Sequence, residues 1–167
     1  MRSIQVSTSS YALTTYLALT GLVAVVSPAQ SQERMFEYAV KFVCGRAAPT
    51  PTGAPILAQG VYFTDINVHN PNKDVARFRK KFAVALPEQK AGPVTRLFEA
   101  ELKSDEAFSV DCNEITKRVN VIPGRFVTGF AVFQSPAELD VVAVYSAAAS
   151  PGAFVAAMHM ERVPKRP

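Results

Sequence analysis

Apolar and polar residues alternate with a period of two in several runs of this chain, and turn-forming residues bound each run. The longest pair of runs covers residues 61–69 and 75–86, on either side of Asn-Pro-Asn-Lys-Asp at positions 70–74. A period of two is typical of strands with one buried face, and Asn, Pro and Asp favour turns. We therefore predict a β-hairpin of two long strands at the centre of the fold.

Further runs with the same alternation predict the remaining strands. They cover residues 36–44, 94–102, 108–112, 126–134, 139–145 and 154–163. One helical turn is expected between them, capped by Asn113 and ending at Arg118. No long stretch has helical periodicity. Seven or eight short strands and a single helical turn predict an all-β fold, an antiparallel β-sandwich of the immunoglobulin-like type.

The N-terminus has the three parts of an export signal. Met1-Arg2 is positive, residues 13–26 are largely apolar, and Ser27-Pro28-Ala29-Gln30-Ser31 offers small residues to a signal peptidase. A membrane anchor is the rival interpretation, but the apolar run is shorter than the roughly 20 residues that span a bilayer. We expect a signal peptide over residues 1–31, a single domain over residues 32–167 with no membrane span, and a periplasmic or secreted protein.

Two cysteines, Cys44 and Cys112, both follow the predicted cleavage site. An exported chain meets an oxidising compartment, so the pair predicts one disulfide, with two buried free thiols as the alternative. Two cysteines so far apart lack the paired spacing of zinc ligands, and we expect no metal and no cofactor.

The charge of the chain is mild. Lys and Arg number 18 against 14 Asp and Glu, and the formal net charge is +4 at pH 7. Such a balance does not indicate nucleic-acid binding. A basic row on one face of residues 75–86, formed by Arg77, Arg79 and Lys81, is compatible with lipid headgroups or acidic polysaccharide. The alternative is neutralisation by the next strand, in a register that sets Lys81 opposite Glu99 and Arg79 opposite Glu101.

The strands at residues 126–134 and 139–145 are predicted to form a second hairpin that is apolar on both faces. Phe126, Phe130 and Val132 are assigned to the core. The opposite face of the hairpin would then expose further apolar side chains, Val127, Phe133, Val142 and Val144. An outer face of this kind has to be covered. We expect a second copy of the chain to cover it, with one of the chain's own loops as the rival.

Residues suited to catalysis are few. The two histidines are His69 and His159, and neither has a second ligand at metal spacing. No G-x-S-x-G elbow occurs. The side chains that would have to converge for hydrolysis are Asp65, His69, Asp111 and Glu114. Nothing in their spacing brings them together, so we expect no enzyme.

Four stretches resemble a group of short, uncharacterised exported bacterial proteins. They are residues 62–71 (YFTDINVHNP), 78–87 (FRKKFAVALP), 105–115 (DEAFSVDCNEI) and 126–147 (FVTGFAVFQSPAELDVVAVYSA). The Asn-Pro-Asn that follows a strand is also similar to immunoglobulin-like modules of the water-stress type. The strand–turn–strand order is similar to that of the β-sandwich transducers of microbial sensory rhodopsins. These resemblances imply a binding or scaffolding module and assign no functional residue.

Taken together, these observations favour an exported, non-enzymatic binding or structural module that forms a homo-oligomer or binds another envelope protein. The alternative is a lipid- or carbohydrate-binding domain that uses the basic row. A hydrolase of unknown type ranks third.

Overall fold

Nine β-strands and one short helix make up the part of the chain that the structure describes. This computed structural model describes residues 35–47, 58–87, 90–122, 124–150 and 155–166, within the unit Gln32–Pro167. The elements are β1 (Phe36–Ala47), β2 (Gly60–His69), β3 (Ala76–Ala85), β4 (Ala91–Val94), β5 (Phe98–Leu102), β6 (Ala107–Asp111), α1 (Cys112–Arg118), β7 (Val127–Ser135), β8 (Asp140–Ala148) and β9 (Val155–Arg162). The predicted all-β fold is confirmed. The predicted export signal lies outside the described residues.

The strands form two antiparallel sheets. In the first sheet β7 lies between β1 and β3, and the far edge of β3 pairs with β4 and β5. In the second sheet β2 lies between β8 and β6, and β9 pairs with the other edge of β8. The result is a sandwich-like fold, and its immunoglobulin-like character stays a prediction.

Strand β1 belongs to both sheets. Its pairing with β7 ends at Cys44, and its pairing with β2 begins at Gly45. Gly45 has a φ of 90°, and a Cβ there would lie 2.3 Å from the carbonyl oxygen of Arg125. Only glycine fits both conditions, so this residue lets one strand turn the corner between the sheets.

The inward faces of the two sheets meet in one core. Even-numbered residues of β1 and β3 point inward, as their alternation predicts, and so do Ile66 and Val68 of β2. The largest side chains with almost no exposure are Tyr38, Phe42, Phe82, Phe133, Ile66 and Ile115. Cys44 of β1 is joined to Cys112, the first residue of α1, across this core. The predicted disulfide is confirmed.

The face assigned to residues 126–134 is wrong. Val127 and Phe133 are buried, whereas Phe130 lies outside. The register with β1 explains the inversion, because Phe42 lies opposite Gly129. A Cβ at residue 129 would sit 2.7 Å from the Phe42 ring, so the small residues of β7 make room for the aromatic rings of its neighbours. Val127 and Phe133 are core residues and form no interface.

Both predicted hairpins are connections between sheets. β2 and β3 lie in different sheets, as do β7 and β8. The β2–β3 connection is centred on Asn70, which is fully buried. Its Nδ2 donates to the carbonyls of Asp74, Leu102 and Lys103 at 2.8–3.0 Å. The NH2 group has two hydrogens, so at least one of them is shared between two of the three carbonyls at this crossing of the sandwich.

Helix α1 is capped by Asp111, whose Oδ1 accepts a hydrogen bond from the Glu114 amide, and the predicted cap Asn113 lies inside the helix. The helix ties the sheets together through an ion pair. Lys80 points inward from β3, is 8% exposed, and its Nζ lies 2.9 Å from Glu114 Oε1. The ammonium also packs over the Phe108 ring, 4.7 Å from its centroid.

Because the Lys80 ammonium is nearly enclosed, its countercharge should be needed for stability. We expect Glu114→Gln to lower the free energy of unfolding by about 2 kcal/mol, since it leaves a buried charge without its partner. Lys80→Met combined with Glu114→Gln should recover most of that loss. Urea unfolding without reductant measures both. A loss in the double variant as large as in Glu114→Gln alone would contradict this role of the ion pair.

Candidate functional site

The basic row lies on the outer face of the first sheet. Arg77, Arg79 and Lys81 alternate along β3, and β5 runs beside the first two. Arg77 Nε lies 3.4 Å from Glu101 Oε2, and Arg79 faces Glu99. A cavity of about 450 Å³ beside the row is lined by both arginines and both glutamates. The charges around this cavity therefore balance, which does not favour anion binding there.

The predicted register of these strands is wrong by two residues. Arg79, rather than Lys81, faces Glu99, and Lys81 lies beside Val132 of β7. The cause is an interruption between β4 and β5, where the Thr95 hydroxyl accepts a hydrogen bond from the Phe82 amide. A shift of two residues preserves the faces of both strands. The arginines of the basic row are thus neutralised by the pairs Arg77–Glu101 and Arg79–Glu99, which differ from the predicted pairs.

The four side chains considered for hydrolysis do not converge. Asp65 faces Asp111 across β2 and β6, whereas Glu114 turns toward Lys80. His69 Nδ1 lies 3.4 Å from Asp140 Oδ2, on an exposed surface. Among the described residues, no group of three His, Cys, Asp or Glu side chains could hold a metal ion.

The outer face of the second sheet along β9 exposes apolar side chains and is a candidate interaction surface. All eight residues of β9 are exposed, and the strand has no neighbour beyond it among the described strands. Met158 lies beside Ser146, which lies beside Phe63, and Met160 lies beside Val144. We call the exposed side chains Phe63, Met158 and Met160 the β9 patch.

Two of the residues predicted at an interface border this patch. Val142 and Val144 are half-buried on the same outer face of β8. The assignment of residues to the outer face is thus correct for Val142 and Val144 of β8 and wrong for Val127 and Phe133 of β7. The sequence signal for β9 was the run Val-Ala-Ala-Met-His-Met, which lacks the alternate polar residues of a half-buried strand.

A groove of about 430 Å³ lies behind β9. Tyr145 and His159 stack there with ring centroids 6.1 Å apart, and the Tyr145 hydroxyl donates to Glu161 Oε1 at 2.7 Å. Burial raises the pKa of Tyr145, and the nearby Glu161 carboxylate raises it further, so the phenol stays protonated. Lys41 lines the opposite side. These contacts fix the orientation of β9 on β8.

No helix among the described residues has the length and apolar character that a bilayer crossing requires. Comparison with known proteins gives no match to a family model, to a curated protein or to a solved structure.

Proposed function

We propose that this protein is an exported, non-enzymatic structural or binding module that associates with a second copy of itself through β9. The observation that carries the proposal is the exposure of every residue of β9 at the open edge of the second sheet. An uncovered edge strand is a template for another strand, and natural proteins normally shield it with charge, proline or a covering segment.

The backbone of β9 supports pairing with another strand. The Val163 amide donates to the Val141 carbonyl at 2.8 Å, in continuation of the β8–β9 register. Since hydrogen-bonding direction alternates along a strand, residues of even number in β9 turn their N–H and C=O groups away from β8. Met158 and Met160 therefore have backbone groups directed at the free edge.

The side chains of β9 favour a second copy as the partner. Its charged residues are Glu161 and Arg162, so two β9 strands carry no net repulsion. Antiparallel pairing about a two-fold axis would bring the methionines of both copies onto one face. Burying such a side chain contributes roughly 1.5–3 kcal/mol, which gives a small patch enough energy to associate at micromolar concentrations.

Export is supported by the Cys44–Cys112 disulfide, because such bonds persist in oxidising compartments. The leader-like sequence of residues 1–31 points the same way. We place the protein in the periplasm or outside the cell.

The test is the oligomeric state of the Met160→Glu variant. We expect the wild-type protein to form a dimer or larger oligomer at tens of micromolar in light scattering, and the variant to dissociate at least tenfold more readily, because each interface would acquire two buried carboxylates. Ile122→Glu is the matched control, since Ile122 is 67% exposed and Met160 68%.

A wild-type monomer at this concentration would overturn self-association through β9. So would an oligomer that both glutamate substitutions weaken equally, because that result indicates general apolar adhesion. Far-UV circular dichroism of each variant establishes that the fold is kept.

A further inference from the structure

Three separate segments meet at one end of the sandwich. A cavity of about 620 Å³ is lined by Leu86, Ile122 and Arg125, among others. A smaller one of about 330 Å³ is lined by Val94, Arg96 and Arg118, and Asn120 lines both. We call this surface the basic end. Its exposed residues are Leu86, Val94, Leu97, Ile122, Arg96, Lys117, Arg118 and Arg125.

The basic end exposes large apolar side chains close together. Val94 is 60% and Ile122 67% exposed, and Leu86 and Leu97 are also classed as exposed. A single exposed leucine is ordinary, but several on one surface mark an interaction site. Leu86 and Ile122 line the larger cavity and Val94 the smaller, and Leu97 follows Arg96 in sequence.

The basic end carries more cationic side chains than carboxylates that pair with them among the described residues. Arg96 and Arg118 pack on the Phe98 ring, with guanidinium carbons 5.3 and 4.3 Å from its centroid. Glu114 lies 3.6 Å from Arg118, but the same carboxylate holds Lys80. Phe98 thus holds two guanidinium groups, and one of them, that of Arg118, shares its only acid with Lys80.

The remaining cations of the basic end have no acidic partner in the part of the chain that the structure describes. Within the described residues, no carboxylate lies at ion-pair distance from Arg96, Lys117 or Arg125. The Arg125 backbone pairs with Arg46, which brings a further arginine close by. The β9 patch differs, since its strand carries one acid and one arginine.

From this combination we infer that the basic end binds the surface of an anionic lipid membrane. Exposed aliphatic side chains can enter the headgroup region, while lysine and arginine reach the lipid phosphates from the same surface. A partner made only of acidic polymer would leave the apolar side chains in water, and a purely apolar partner would leave the cations without countercharge. An anionic lipid surface satisfies both.

The experiment measures binding to vesicles of stated composition. We expect the purified protein to float with vesicles of phosphatidylcholine and phosphatidylglycerol in equal parts, and to bind vesicles of phosphatidylcholine alone at least tenfold more weakly. Arg96→Gln with Arg125→Gln should weaken binding to the anionic vesicles by roughly fivefold per charge, because each cation near such a surface contributes a similar increment. Ile122→Glu should weaken it about tenfold.

Two controls locate the binding on this surface. Val75→Glu makes the same kind of change at an exposed apolar residue that belongs to neither the β9 patch nor the basic end, and Arg77→Gln removes a cation from the basic row. Both should bind anionic vesicles as the wild-type protein does.

Equal binding to both kinds of vesicle would overturn the inference, since it indicates adhesion without charge recognition. Loss of binding in Arg77→Gln comparable to that in the arginine pair would also overturn it, because net charge alone would then suffice. So would competition by glycerol phosphate at millimolar concentration, which would point to a small soluble anion. Failure to bind any vesicle rejects it outright and leaves the oligomer assay unaffected.

Discussion

Reduction of the Cys44–Cys112 disulfide is expected to lower the free energy of unfolding by about 4 kcal/mol. The two cysteines are 68 residues apart, and the bond joins β1 of the first sheet to the start of α1. A cross-link that closes a loop of this length removes that much conformational entropy from the unfolded chain. Because a domain of this size is stable by roughly 5–15 kcal/mol, the reduced protein should lose much of its stability.

Urea unfolding with and without reductant measures this difference, and Cys44→Ser with Cys112→Ser should match the reduced protein. Thr64→Val serves as a local control. Its hydroxyl bonds both the amide and the carbonyl of Val43, so its loss disturbs the same region without opening the bond. A change below about 1 kcal/mol on reduction would show that the bond does not restrain the unfolded chain. Two alkylated thiols in unreduced protein would show that it is absent.

The individual strands and many of their buried faces could be predicted from the sequence. Alternation is a local property, and it placed Tyr38, Val40 and Phe42 in the core because successive side chains on a strand must point to opposite faces. The disulfide was predicted from the even number of cysteines in an exported chain, and Cys44 continues the inward face of β1.

The pairing of the strands could not be predicted in the same way. Asn-Pro-Asn and Ser-Pro-Ala-Glu signal that the chain turns, but the same residues suit a hairpin within a sheet and a connection between sheets. β2 and β3 lie in different sheets because each pairs with a strand from elsewhere in the chain. β2 pairs with β8, and β3 pairs with β7. The face of β7 was inverted for a related reason. Gly129 leaves space for the ring of Phe42. The two residues are 87 positions apart, so no local sequence pattern indicates this contact.

The two proposed interaction surfaces could not be predicted from local sequence patterns either. The β9 patch needs Phe63 from β2 beside Met158 from β9. The basic end needs Val94 and Arg96 beside residues that follow α1. Arg77, Arg79 and Lys81 could be recognised in the sequence because they alternate along one strand, yet β5 sets glutamates opposite Arg77 and Arg79. Arg96, Arg118 and Arg125 are scattered in sequence, and the two cavities that they line share Asn120 only in the fold.

Asn70→Ala is expected to destabilise the protein by about 4 kcal/mol. The amide nitrogen of Asn70 donates to three backbone carbonyls, and its Oδ1 accepts from the amide and the side chain of Asn72 at 3.0 and 2.8 Å. Asn72 in turn donates to the Glu138 carbonyl at 2.7 Å, so the network links the two connections that cross the sandwich. Alanine would remove this donor from the Leu102 carbonyl, whose hydrogen bond is buried, and a buried polar group left without its partner costs about 1–3 kcal/mol. It would also break the part-buried hydrogen bonds to Asp74 and Lys103 and empty the space of a buried side chain.

Asn70→Asp distinguishes the donors from the acceptor. It keeps an oxygen for Asn72 but turns a carboxylate toward three carbonyls, so at pH 7 it should be at least as destabilising as alanine. Burial and this repulsion should raise the carboxyl pKa in the folded state above its unfolded value. Stability should therefore be regained as pH falls through the folded pKa, because the protonated carboxyl donates one hydrogen bond. Asn72→Ala, which removes a less buried partner, should cost only about 1 kcal/mol. Urea unfolding of the three variants between pH 4 and pH 8 provides the comparison. If the stability of Asn70→Asp relative to wild type does not change with pH, the side-chain amide of residue 70 does not hold the two sheets together at this connection.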